Sequence, residues 1–198
     1  ADDYRIGVAR DMSGLLHQKG RRWRPLQDTA SSSWLLRAGS ESWGLHRRSQ
    51  DYYDEGALIW MEADALIRRE TREAKSLDDF CRAFLGADRG GTDVFPYELA
   101  DVVAALNGVH AHDWASFFAE RVERTQDELP LGFVTSLGWR LQYVPERPAQ
   151  MKKREEKSKS RDLADSIGCS VGEGGGVRRV VPGSPADRAG LYDGAEII

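Results

Sequence analysis

Several familiar sources of chemistry are absent from this sequence of 198 residues. It holds two cysteines, Cys81 and Cys169, far apart, which is no disulfide framework and no zinc-binding spacing, so two free buried thiols are expected. No apolar run approaches the length of a bilayer span. No large excess of one charge exists: 28 basic residues against 32 acidic ones give a formal net charge of −4, and no reason to expect a nucleic-acid surface. Histidine is scarce. His17, His46, His110 and His112 are the full set, and none begins an H-E-x-x-H sequence that would bring two imidazoles to one helix face around zinc. Gly174-Gly175-Gly176 lacks the Lys and Ser or Thr of a phosphate loop and reads as a hairpin turn. There is no G-x-S-x-G nucleophile elbow. No signal peptide is visible, yet the chain opens at Ala1 within a helical pattern, so an upstream targeting segment would not show and the compartment is left open.

What is present suits one or two water-soluble domains: 40% of residues are hydrophobic and 30% charged. Tyr4, Val8, Met12, Leu15 and Leu16 recur at helical spacing, which predicts an amphipathic helix over 2–17, punctuated by Gly20 and Pro25. Arg21-Arg22-Trp23-Arg24 reads as a solvated turn. A second helix over 28–38 would take Asp28 as its cap, and 39–50 reads as a polar loop. Residues 55–72 give the strongest helical signal, with Leu58, Ile59, Ala63, Leu66 and Ile67 on one arc. Asp64 stands four residues before Arg68, in the favourable acid-before-base order. Ser76-Leu77-Asp78-Asp79 predicts a capping box for a short helix ended by Gly86. Gly90-Gly91 marks a loop, Pro96 the start of a further helix ended by Asn107-Gly108, and Asp113 the cap of one carrying Trp114, Phe117 and Phe118. His110-Ala111-His112-Asp113 is the nearest approach to a metal cluster and reads as a capping turn.

The pattern then changes. Leu137, Trp139, Leu141 and Tyr143 alternate as in a strand. Between Met151 and Arg161 eight of eleven residues are charged, too many to bury, which predicts a linker over 145–164. From 165 onward the order is strand, turn, strand, short helix. Val181-Pro182-Gly183-Ser184-Pro185-Ala186-Asp187-Arg188-Ala189-Gly190-Leu191 assigns a backbone task to each position. Gly183 turns, Ser184 caps, Pro185 opens the helix, Gly190 closes it in the left-handed conformation and Leu191 returns to the core. This resembles a PDZ domain, a module that captures peptide ends by strand addition. The resemblance aligns Ser166-Ile167-Gly168-Cys169 with the carboxylate-binding loop, whose amides would receive a peptide or protein C-terminus. It also implies that this domain is incomplete at Ile198, with the helix that walls the peptide groove lying further on.

Tyr52-Tyr53 precedes the strongest helix, with Gly56 three residues on. A phenol fixed at a helix start can donate a hydrogen bond to a developing oxyanion. Tyr52-Tyr53, Gly56-Ala57-Leu58, Asp64, Ile67-Arg68 and Ser76-Leu77-Asp78-Asp79, in that order, resemble the C-terminal half of the glycyl-aminopeptidase family. Gly20-Arg21, Leu26, Ser33-Trp34, Asp113-Trp114, Phe117-Phe118 and Glu128-Leu129-Pro130-Leu131 extend the likeness over nearly the whole chain. These are zinc metallopeptidases with a thermolysin-like catalytic domain, a helical domain and a PDZ domain. The resemblance implies a mainly α fold: a helical bundle over 1–144, the linker, and a truncated, mainly β PDZ domain over 165–198. It implies that Tyr53 is the catalytic tyrosine steadying the tetrahedral oxyanion opposite zinc, with Tyr52 packing beside it. The zinc ligands and the general-base glutamate would lie upstream of Ala1, so that the fragment alone would be inactive and bind no zinc. Substrates would be peptides with N-terminal glycine preferred. Two departures matter. Glu55 stands where the family commonly has a basic residue, and Ala195 where PDZ domains usually carry Asp. Two alternatives stay open: a scaffolding protein with a peptide-binding PDZ module, and a family member whose zinc ligands have been lost.

Overall fold

The computed structural model describes residues 2–38, 43–86 and 94–198, and the predicted Gly90-Gly91 loop lies outside them. The described chain is mainly helical. Helices α1 (Asp2–Leu16), α2 (Leu26–Ser31), α3 (Ser33–Ala38) and α4 (Gly44–Arg47) precede the long α5 (Tyr52–Thr71). After it come α6 (Leu77–Phe84), α7 (Leu99–Val109), α8 (Trp114–Phe118), α9 (Phe133–Ser136) and α10 (Ala149–Ser158). Three short strands follow, β1 (Ser160–Asp162), β2 (Ser170–Gly172) and β3 (Val177–Arg178), and then α11 (Pro185–Arg188). No helix among the described residues is long and apolar enough to cross a membrane.

The chain divides into two compact units. One comprises Ala1–Asp54, Thr125–Leu129 and Leu141–Ile198, the other Glu55–Arg124 and Pro130–Arg140. This division differs from the expected boundary near residue 144. The C-terminal β region shares a unit with α1 because Asp165 accepts hydrogen bonds from Ser13 Oγ (2.6 Å) and pairs with His17 Nε2 (2.9 Å).

The second unit is built on aromatic rings. Trp60 stacks on Phe80 with centroids 5.2 Å apart and meets Phe118 edge-on at 5.8 Å. Phe80 stacks on Phe84 at 5.3 Å, and Phe84 meets Tyr97 at 5.2 Å. Trp114 is fully buried, and its indole N–H donates to the His110 carbonyl at 3.0 Å, as a buried indole requires. Arg121 donates Nε and Nη2 to the two oxygens of Glu62 at 2.8 and 2.7 Å, a bidentate pair. The Asp64–Arg68 pair forms at 2.7 Å, and Asp64 also accepts from the Leu77 amide, tying α5 to the start of α6. The Ser76 capping box is present with Asp79 as its return partner, and Asp113 Oδ1 accepts from the Ser116 amide.

In the first unit, β1, β2 and β3 form an antiparallel sheet in that order. Its core is small: Cys169, Val177 and Ala186, with Val171, Val180, Leu191 and Ala195 packed around them. Ser184 Oγ accepts from the Asp187 amide, Pro185 opens α11, and Gly183 and Gly190 adopt positive φ, as the sequence motif demands. Leu191 joins the core and its amide donates to the Ala186 carbonyl at 3.0 Å.

Several expectations are corrected. Residues 139–144 form no strand, because alternation specifies a face but supplies no partner, and the sheet is made by the three strands above. Within the segment expected as a linker, Ala149–Ser158 form α10 and Ser160–Asp162 form β1. None of the α10 residues is buried, as its charge implies, but Ala, Gln, Met, Lys, Arg and Glu are all strong helix formers. The predicted 28–38 helix is two helices broken at Ser32, with Asp28 in the first turn rather than at the cap. The helix after Pro96 starts at Leu99, capped by Glu98, and runs through Asn107-Gly108. Residues 44–47 of the predicted polar loop are helical. Arg21 is buried rather than solvated, and its guanidinium donates to the Leu15 carbonyl at 3.0 Å. Cys169 is buried, whereas Cys81 is only half-buried.

Candidate functional site

Tyr53 lies in the first turn of α5, and its side chain is 64% exposed. Helix formation sets that position. The Tyr53 amide reaches the Gln50 carbonyl at 3.4 Å at the head of a helix of twenty residues. The Tyr52 ring lies 4.7 Å from that of Tyr53 at 41°. The pair therefore packs as neighbours, with the catalytic candidate outward.

The residues flanking Tyr53 in sequence, Asp51 and Asp54, are charged. Arg48 donates to Asp51 at 2.9 Å with both side chains buried, and Arg48 Nη1 also reaches the Arg24 carbonyl at 3.0 Å. Such a pair keeps its shape because separating it would leave an uncompensated charge in the interior. Arg10 pairs with Asp11 at 2.6 Å. Burial lifts the Asp54 carboxyl above its ordinary range, the Asp11 charge lifts it further, Arg10 opposes this and Asp51 adds to it. The Asp54 carboxyl thus owes its rise first to burial, with Asp11 and Asp51, each paired with an arginine, adding to it. Glu55, the departure from the family pattern, is a buried side chain.

The second candidate is the turn at Ser166, Ile167, Gly168 and Cys169. The amides of Ser166, Ile167 and Gly168 converge at 3.1, 3.0 and 2.9 Å, and the atom on which they converge is the Leu163 carbonyl oxygen. The Leu163 amide donates to the Cys169 carbonyl at 2.9 Å. On the other side of the turn, the Ile167 carbonyl accepts from Ala186 (2.8 Å) and the Gly168 carbonyl from Val181 (2.7 Å). Gly168 is required here: its φ is +87°, and a Cβ would fall 2.1 Å from Ser184 Cβ. Burial pushes the Cys169 thiol up, which keeps it neutral. The Asp165 carboxyl is held below its ordinary value, first by the His17 hydrogen bond and then, against the cost of burial, by that from Ser13.

The structure does not bring the histidines together. His17 serves Asp165, and His112 stacks edge-on with Trp114 at 4.9 Å. Among the described residues no group of three or more His, Cys, Asp or Glu side chains could hold a metal ion. Sequence reasoning missed the Ser13–His17–Asp165 cluster, because Asp165 lies 152 and 148 positions from its two partners and carries no local signal. It also missed the role of Ser160–Leu163, which was hidden inside a charged run.

The chain matches no family model and no curated protein.

Proposed function

We propose that this chain is the C-terminal part of a zinc-dependent aminopeptidase of the glycyl-aminopeptidase type, carrying a PDZ domain that takes peptide ends. The ordered motifs from Gly20 to Leu191 support the reading. The single structural observation that carries it is Tyr53: a phenol presented outward at the first turn of a long helix, with Tyr52 packed beside it. Its O–H can donate to an oxyanion. In this reading the oxyanion also faces a zinc ion, held by residues outside this chain, that polarises the carbonyl.

The test is Tyr53→Phe in the intact protein, assayed on glycyl peptides. Loss of one oxyanion donor predicts a fall in kcat of about 10²–10³ with little change in KM. An unchanged kcat would end the catalytic assignment. A second reading, a peptide-binding module with no catalysis, draws on the Ser184-Pro185 turn and the converging amides of 166–168. Peptide-end binding by an intact protein with no peptidase activity would favour it.

A further inference from the structure

We infer that β1 is a built-in occupant of the peptide groove, so that the PDZ region rests in a self-blocked state. The inference depends on the PDZ reading above. Strand addition requires an open edge on the strand that follows the carboxylate loop, and that strand is β2. Both of its edges are taken, by β1 through Ser160↔Gly172, Arg161↔Val171 and Asp162↔Ser170, and by β3 through Ser170↔Arg178 and Val171↔Val177. Val177 of β3 is fully buried in the small core, so β3 is fixed. In β1, Arg161 and Asp162 are exposed and Ser160 is half-buried, so β1 can leave at the smaller cost.

The occupant also imitates a ligand. A peptide C-terminus in such a groove places its last amide on the carbonyl at the loop's end and its carboxylate on the loop amides. Leu163 does both, donating to the Cys169 carbonyl and receiving the amides of Ser166, Ile167 and Gly168 on one oxygen. That oxygen is a neutral carbonyl. A true C-terminal carboxylate would form charge-assisted bonds, roughly twice as strong. A free peptide end can therefore displace β1, whereas a peptide with a blocked end cannot. The covalently tethered segment acts as a competitor at an effective concentration on the order of millimolar.

Glu155 of α10 serves as the brace. Its Oε1 accepts from the Asp162 amide at 3.0 Å and pairs with Arg147. Lys159, with φ +49°, reverses the chain between α10 and β1. Because the Leu163 amide faces Cys169, the Arg161 amide two residues back also faces β2, while Asp162 faces away toward Glu155.

The test uses the intact protein and a fluorescent peptide with the sequence of residues 159–163 and a free C-terminal carboxylate, alongside its amidated form. Arg161→Pro removes an inward donor and should tighten binding of the free acid at least tenfold, with no binding of the amide. The paired variant Ser160→Cys with Gly172→Cys keeps β1 in place. The two positions face each other, and a Cβ at Gly172 meets only the Gly176 carbonyl at 3.7 Å. Oxidised, this variant should lose peptide binding; reduced, it should match the unaltered protein. Equal binding by the oxidised and reduced forms would overturn the self-blocked state while leaving the groove standing. Absence of free-acid binding in every protein, including the reduced pair, would overturn the PDZ reading and this inference with it.

Discussion

The aromatic unit and the C-terminal sheet reach order by opposite means. From Phe118 through Trp60, Phe80 and Phe84 to Tyr97, rings meet face or edge at 5.2–5.8 Å, and Trp114 is wholly enclosed. The buried rings among them remove a large apolar area from water, while Tyr97 stays 65% exposed. The sheet has Cys169, Val177 and Ala186 at its centre, a far smaller area. Its shape comes from backbone bonds instead: turn amides on Leu163, Val177 on Ala195, Gly194 on Val177, and Val180 on the Asp193 carboxylate. A core of rings tolerates small backbone shifts. A mesh of single hydrogen bonds around a few small side chains depends on every backbone angle.

Substitutions can break that contrast. Trp114→Ala should cost the most, about 3–5 kcal/mol, because it empties a filled site and removes the donor to His110. Denaturant unfolding would register it as a lower midpoint. Gly168→Ala removes no contact and adds one carbon, yet should cost about 2–3 kcal/mol through its φ and the clash with Ser184. Its signature is local: the buried Cys169 thiol should react faster with a thiol reagent while the Cys81 rate holds. An equal rise at both would show that the mesh is not an independent weak point.

Matched caps sharpen the comparison. Ser76→Ala in the aromatic unit and Ser184→Ala in the sheet region each delete one side-chain acceptor at a helix start, worth about 1 kcal/mol. If the sheet depends on its mesh, Ser184→Ala should also raise amide exchange at Gly168 and Val181, whereas the Ser76 change should stay confined to α6. The smallest effect is acid sensitivity. Asp165 has a native value depressed below 3.8, so its contribution is complete above that value and fades as pH falls through the lower native one. Stability measured from about pH 5 to pH 2 should decline, and Asp165→Asn should flatten part of that decline.

Legibility followed locality. The caps at Ser76, Asp113 and Ser184 and the Asp64–Arg68 pair involve residues three or four apart, so a sequence states them in full. The place of Tyr53 at the head of a helix was legible for the same reason, whereas its exposure was not. The alternation at 137–143 misled because a strand needs an edge to pair with, which a sequence does not display. Near Ala195, the departure from the usual Asp, the Val180 amide donates to the carboxylate of Asp193 at 2.8 Å. The charged run at 151–161 correctly excluded a core, but helix formation does not need one when propensity and pairs such as Arg147–Glu155 suffice.

That last point bears on α10, a helix with no buried residue. With no apolar anchor, it is braced by the part-buried pair of Arg147 with Glu155, and Lys159 at its end pairs with Glu173 at 3.1 Å in the open. Added electrolyte weakens the open pair and largely spares the part-buried one. Of the two ties beside β1, the one through Glu155 is therefore the one that survives in salt.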